Sequence, residues 1–128
     1  MKSKPHYGYY VLDAAGEPQL CTDVNEWKLW FSTTDRKIAE DRHNEISVST
    51  VFLGLDHNYG GKGPPLLFET MIFGGPHDGA CSRTGTRTDA LRQHRATCAL
   101  VLPPKEKVDP AAEYEDAMAG KEILEGLK

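Results

Sequence analysis

The sequence predicts an α+β domain: a mostly antiparallel sheet of about five strands covered by two helices, with a C-terminal helical arm. Three observations carry this reading. The stretch Val48–Gly75 holds two apolar, β-rich runs around a loop of glycines, prolines, Asp56, His57 and Asn58, the pattern of a sheet hairpin with a wide polar tip. Two other segments begin with capping residues and continue with apolar residues at helical spacing. Finally, Pro103-Pro104 separates a body, residues 1–102, from a charged linker and arm, residues 103–128.

Along the chain, Tyr7–Leu12 is rich in tyrosine and aliphatic residues and reads as a first strand, turned by Ala14–Pro18 into a short partner around Gln19–Cys21. Asp23 is positioned to cap a helix, with Glu26 three residues on in capping-box position. Val24, Trp27, Trp30 and Phe31 then recur at helical spacing, an aromatic face expected to pack on the sheet. Arg36–Arg42 and Ile46–Leu55 form the next hairpin, around His43-Asn44-Glu45. Ile46, Val48, Thr50 and Phe52 point one way; Ser47, Ser49, Val51, Leu53 and Leu55 point the other, so this strand is expected to run into a two-sided core.

Leu66–Phe73 follows, with Glu69 as its one charge and therefore expected to pair with a cation. Gly74-Gly75-Pro76 ends that strand, and a short one is expected around Ala80–Arg83. Thr88 reads as the cap of a helix from Asp89 to about Leu102, with Leu91, Cys98, Ala99 and Leu102 on its buried side. In the arm, Asp109 and Pro110 start a helix carrying Tyr114, Ala117, Met118 and Leu124.

The 128 residues suit one domain, and 39% apolar residues suffice for a modest core. A formal charge of −4 argues against general nucleic-acid binding, which needs excess Lys and Arg. The charge is uneven: residues 83–95 carry a net +3 and residues 105–128 a net −3. A local basic patch on an acidic chain suits a compact anion. Three cysteines without CxxC spacing argue against a disulfide scaffold or zinc ribbon and fit a reducing cytoplasm, with all three expected to be buried or half-buried. The N-terminus lacks the apolar stretch of a signal peptide, and no run approaches the ~18 apolar residues of a membrane span.

Asp56, His57 and Asn58 follow one strand of the central hairpin, and His77 and Asp78 follow the other. Neither HxH nor HExxH spacing occurs, so no metal and no cofactor is expected. No GxSxG elbow is present, and pairing Cys81 with His77 as a thiol nucleophile has only proximity in sequence to support it. Gly60-Gly61-Lys62-Gly63 fails the phosphate-loop pattern at both ends and reads as a turn for close backbone approach. Arg87, Arg92 and Arg95 form the remaining constellation: their guanidinium groups suit bidentate binding of phosphate, against the plainer reading of a solvated helix face with Arg92 paired to nearby acids.

Over Glu26–Gly75 the chain resembles a family of small proteins carried by phages and prophages. The resemblance rests on EW and WF in the aromatic helix, DRKIA in the next strand, then VSTVFLGLDHNYGG and PPLLFETMIFGG. After Gly75 the chain departs from that pattern, and the arm lies outside it. In size and element order it is also similar to anti-defence sponges that trap nucleotide signals, including those opposing Thoeris systems. The resemblance implies a non-catalytic anti-defence protein of the host cytoplasm, a homo-oligomer that sequesters a small anionic, nucleotide-derived immune signal. Arg87, Arg92 and Arg95 would hold its phosphates, and Asp56, His57, Asn58 and His77 would contact base and sugar. The alternatives are a protein-binding inhibitor of a host defence complex, of anti-CRISPR type, acting through the acidic arm; a small hydrolase using Asp56, His57, His77 and Asp78; and a virion or assembly protein.

Overall fold

A computed structural model describes residues 8–60 and 62–104. In chain order they form β1 (Tyr9–Leu12), β2 (Pro18–Cys21), α1 (Val24–Thr33), β3 (Lys37–His43), β4 (Ile46–Phe52), β5 (Phe68–Phe73), β6 (Cys81–Thr84) and α2 (Arg87–Val101). The fold is α+β and antiparallel throughout, as expected, but the six strands divide into two sheets. Strands β3-β4-β5-β6 form a four-stranded sheet in that order, and β1 forms a ladder with β2, meeting Leu55 in a single antiparallel bridge from Tyr9. The expected arm helix beginning at Asp109 lies outside the described residues. No described helix is long and apolar enough to cross a membrane.

Strand β4 is central because its alternating pattern buries Val48, Thr50 and Phe52 completely on one face. Its register aligns Val48 with Ile72, Thr50 with Thr70 and Phe52 with Phe68, so one face of β4 and β5 makes a continuous floor. Helix α2 lies on that floor. Ala90 is fully buried against Phe52, Leu67 and Phe68, where a larger side chain would lift the helix from the sheet. On the opposite face Glu69 meets Arg83 at 3.0 Å, the cation pairing expected of it.

Two differences from the sequence-based reading concern the helices. The aromatic helix α1 does not cover the four-stranded sheet; it packs on β1 and β2 and reaches the main core through Trp30, whose ring meets Phe52 edge-on at 5.8 Å. Trp27 joins the two sheets. Its indole N–H donates to both Tyr10 O and Gly54 O, each at 3.1 Å, while its ring stacks on Phe31 and tilts against Tyr9. With α1 spent on the small hairpin, the second face of β4 is not the interior of a two-sided core, and Ser49 and Val51 remain partly exposed.

Helix α2 starts two residues earlier than expected. Thr86, not Thr88, is the N-cap and accepts from Asp89 N at 3.0 Å. Its buried residues are Ala90, His94 and Thr97, not Leu91, Cys98, Ala99 and Leu102. The expected cap of α1 is observed, with Asp23 accepting from the backbone of Asn25 and Glu26. Of the cysteines, Cys21 is buried and Cys98 intermediate, but Cys81 is exposed, contrary to expectation.

The end of β5 is specified sterically. Gly74 has φ 87°, and a Cβ there would collide with the carbonyl of Glu45 in the β3–β4 turn. Replacing Gly74 by Ala is expected to cost more than about 1 kcal/mol in urea unfolding. Phe52→Ala, which empties the centre of the core, is expected to cost about 3–5 kcal/mol in the same measurement.

Candidate functional site

The residues singled out around the central hairpin mostly fold its loops. Asp56 Oδ1 accepts from Asn58 N at 2.8 Å and Leu66 N at 3.0 Å, closing the base of the long loop. Asn58 Nδ2 donates to Pro64 O at 2.9 Å, and His57 Nδ1 bonds Leu55 O at 2.9 Å. Asp78 Oδ1 accepts from Gly74 N at 2.7 Å and closes the turn that carries His77. Because β4 and β5 are antiparallel, with Ser47 opposite Phe73 and Phe52 opposite Phe68, these two clusters sit at opposite ends of the hairpin. Six strand residues hold them apart by about 20 Å. No single substrate bond can be reached by both.

The three arginines do not converge either. Arg87 is the first residue of α2 and reaches Gly16 O, at 3.5 Å, in the β1–β2 turn. Arg92 pairs with Asp89 at 3.0 Å and lines a shallow groove with Thr84 and Gly85, on the β6 side of the helix. Arg95 lines a different groove, on the β3 side. A further groove of about 550 Å³ lies where the β1–β2 hairpin, the long loop and the start of α2 meet, lined by residues including Tyr10, Asn58 and Thr86. There the Tyr10 phenol is held above its usual value, first by burial and then by the nearby Asp56 carboxylate.

The groove that holds Arg95 is the richest chemically. It has a volume of about 420 Å³ and is lined by Asp41, His94, Cys98, Leu102 and Pro103 among others. Asp41 comes from β3, on the same sheet face as Val48 and Thr50; His94 and Cys98 come from successive turns of α2. His94 is 3% exposed, and both of its ring nitrogens are engaged. Nε2 lies 2.8 Å from Asp41 Oδ2, and Nδ1 lies 2.8 Å from Thr50 Oγ1. Thr50 Oγ1 in turn lies 2.7 Å from Thr70 Oγ1. Cys98 Sγ donates to Asp41 Oδ2 at 3.6 Å.

This chain of groups runs from the groove to the middle of the sheet. Its chemical possibilities are narrowed by burial. An Asp–His–Thr order suggests nucleophile activation, but Thr50 is completely buried and its hydroxyl cannot meet a substrate. Cys98 borders the groove and its thiol donates to Asp41 Oδ2, the same oxygen that meets His94 Nε2, so the acid bridges thiol and imidazole instead of standing behind the imidazole.

Asp41, Thr50, Thr70, His94 and the role of Cys98 were not identified from sequence. One signal was present: Thr50 and Thr70 interrupt the apolar faces of two adjacent strands, and a buried hydroxyl needs a polar partner. Thr50→Val removes the hydroxyl between His94 and Thr70 and leaves both facing an apolar group. It is expected to cost about 1–3 kcal/mol in chemical denaturation, and the double variant with Thr70→Val less than the sum of the two single costs.

No protein-family model matches this chain, and no curated protein or solved structure is significantly similar to it.

Proposed function

We propose that this protein is a non-catalytic binding protein that captures a small, nucleotide-derived anion, and that the groove between β3 and α2 is its seat. The observation that carries the reading is the composition of that groove: an apolar wall including Leu102 and Pro103, a polar end at Asp41 and His94, and Arg95 among its lining residues. Its volume of about 420 Å³ falls in the ordinary range for small-ligand sites. In this arrangement Arg95 meets a phosphate, the proline and leucine receive the face of a base, and the partly exposed carboxylate of Asp41 accepts from hydroxyl or ring N–H groups.

This reading is narrower than the one drawn from sequence. Asp56, His57, Asn58 and Arg87 hydrogen-bond to loops and turns, Arg92 and His77 lie away from this groove, and the phosphate-binding role falls to Arg95. The engagement of both His94 nitrogens and the burial of both threonine hydroxyls support a binding role over hydrolysis. The resemblance of Glu26–Gly75 to small phage and prophage proteins supports placing that role in the sequestration of a host immune signal.

Calorimetry with a panel of cyclic nucleotides and ADP-ribose derivatives tests the proposal. At least one is expected to bind and to be recovered unchanged after heat denaturation. Arg95→Ala is expected to weaken that binding about tenfold or more, the value of one charge-assisted hydrogen bond. Arg92→Ala, on the other flank of α2, is expected to leave it unaltered. Binding by no member of the panel overturns the reading, as does recovery of a cleaved ligand.

A further inference from the structure

We infer that Asp41, His94 and Cys98 form a site for a divalent transition metal of zinc type, open on one side to the groove. One donor atom from each residue lies within 4.8 Å of the other two. Tetrahedral zinc, with bonds of about 2.0–2.3 Å, spaces its ligands about 3.3–3.8 Å apart. Closing the trio on a metal therefore requires shifts of about an ångström. The side chain of Asp41 is 38% exposed, and Cys98 is partly exposed, so both have room to make them.

The backbone presents these ligands from two firmly held elements. His94 and Cys98 are four residues apart on α2 and share one face of the helix. Asp41 faces them from β3, fixed by its pairing with Val48. The donor set is one sulfur, one imidazole nitrogen and one carboxylate oxygen. That mixture suits Zn²⁺ or Co²⁺ and is poorly matched to Mg²⁺ or Ca²⁺, which take oxygen ligands. Three protein ligands leave one tetrahedral position, which water or a ligand in the groove would occupy.

The groups behind His94 are those a metal-bound imidazole requires. A ligating histidine holds its second ring nitrogen in a hydrogen bond that fixes tautomer and orientation. Here that nitrogen is Nδ1, bonded to Thr50 Oγ1 and through it to Thr70 Oγ1. Because hydroxyls both donate and accept, the chain can run in either direction. In the tautomer with hydrogen on Nε2, Thr50 donates to Nδ1 and the Nε2–H donates to Asp41. With metal, the Nδ1–H donates to Thr50, Thr50 donates to Thr70, and the Nε2 lone pair faces the ion. A metal-bound imidazole is neutral, and the thiol of Cys98 loses its proton to solvent as the sulfur–metal bond forms.

This site goes beyond the binding role proposed above and stands independently of it, since the ion needs no nucleotide to be held. The test uses the full chain, freed of metal by a chelator and titrated with Co²⁺. The expected result is saturation at one equivalent, with the visible bands of tetrahedral cobalt and a near-ultraviolet sulfur-to-cobalt charge-transfer band, all displaced by Zn²⁺. Cys98→Ser is expected to abolish the charge-transfer band, and Asp41→Asn to weaken binding. Thr50→Val, confirmed as folded by circular dichroism, is expected to weaken it about 10–100-fold by disturbing the group behind the ligand. Failure of the unaltered protein to bind Co²⁺ overturns the inference. So does a cobalt spectrum that survives unchanged in Cys98→Ser, because the ion would then sit elsewhere.

Discussion

Thr50 lies in the middle of the central strand without any solvent exposure, between Val48 and Phe52, and its hydroxyl needs polar partners where the neighbouring positions are apolar. Leaving such a group unpaired costs about 1–3 kcal/mol, a large fraction of the stability of a domain this size. The need is met from two directions, by Thr70 on the adjacent strand and by His94 on α2. That second bond fixes the helix in both rotation and height. Ala90, one turn earlier, is small enough to let the helix descend onto Phe52 and Phe68, and His94 then reaches Thr50. The other side of the imidazole is directed at Asp41. The groove between β3 and α2 thus arises where the helix must sit for the buried hydroxyl to be satisfied.

Much of the framework is legible in the sequence because it is written locally. Asp23 caps α1 from the position it occupies in the chain, Asn44 takes the left-handed backbone of the β3–β4 turn, and the alternation of Val48, Thr50 and Phe52 gives the buried face of β4. The buried face of α2 is not written this way. A reading by hydrophobicity selects Leu91, Cys98 and Leu102, yet the helix turns Ala90, His94 and Thr97 inward. The reason is pairing across long separations: His94 is 44 residues from Thr50 and 53 from Asp41. A histidine whose two nitrogens are both satisfied can be buried more favourably than a leucine that would leave Thr50 and Asp41 facing it. The separation of β1–β2 from the main sheet is similarly hidden, because strand propensity does not say which strands pair.

The basic character of residues 83–95 shows how a run of charge in sequence differs from a patch in space. The four arginines leave in four directions. Arg83 crosses to Glu69 on the sheet face away from α2, Arg87 turns to the β1–β2 hairpin, Arg92 folds onto Asp89, and Arg95 alone borders the groove beside β3. Three of these are structural or surface pairings of small energetic value. The remaining one lies next to the Asp41–His94 pair, so whatever enters that groove meets charges of both signs.

The two hydrogen bonds of the Trp27 indole have a consequence for how the molecule distributes its stability. The hairpin with α1 and the four-stranded sheet with α2 share one core, since Tyr10, Leu12 and Trp30 pack against Phe52, Leu67, Phe68 and Ala90. They share a seam made by that indole, the Tyr10–Gly54 and Asp56–Gly8 backbone bonds and the contact of Arg87 with Gly16. The backbone links across it are fewer than the ladders on either side, and the apolar contacts of Tyr10, Leu12 and Trp30 with the main core complete the joint. The 550 Å³ groove lined by Tyr10, Asn58 and Thr86 runs along this seam. Its width is therefore set by how the small hairpin seats on the sheet, whereas the groove at His94 is framed by β3, α2 and the residues that follow α2.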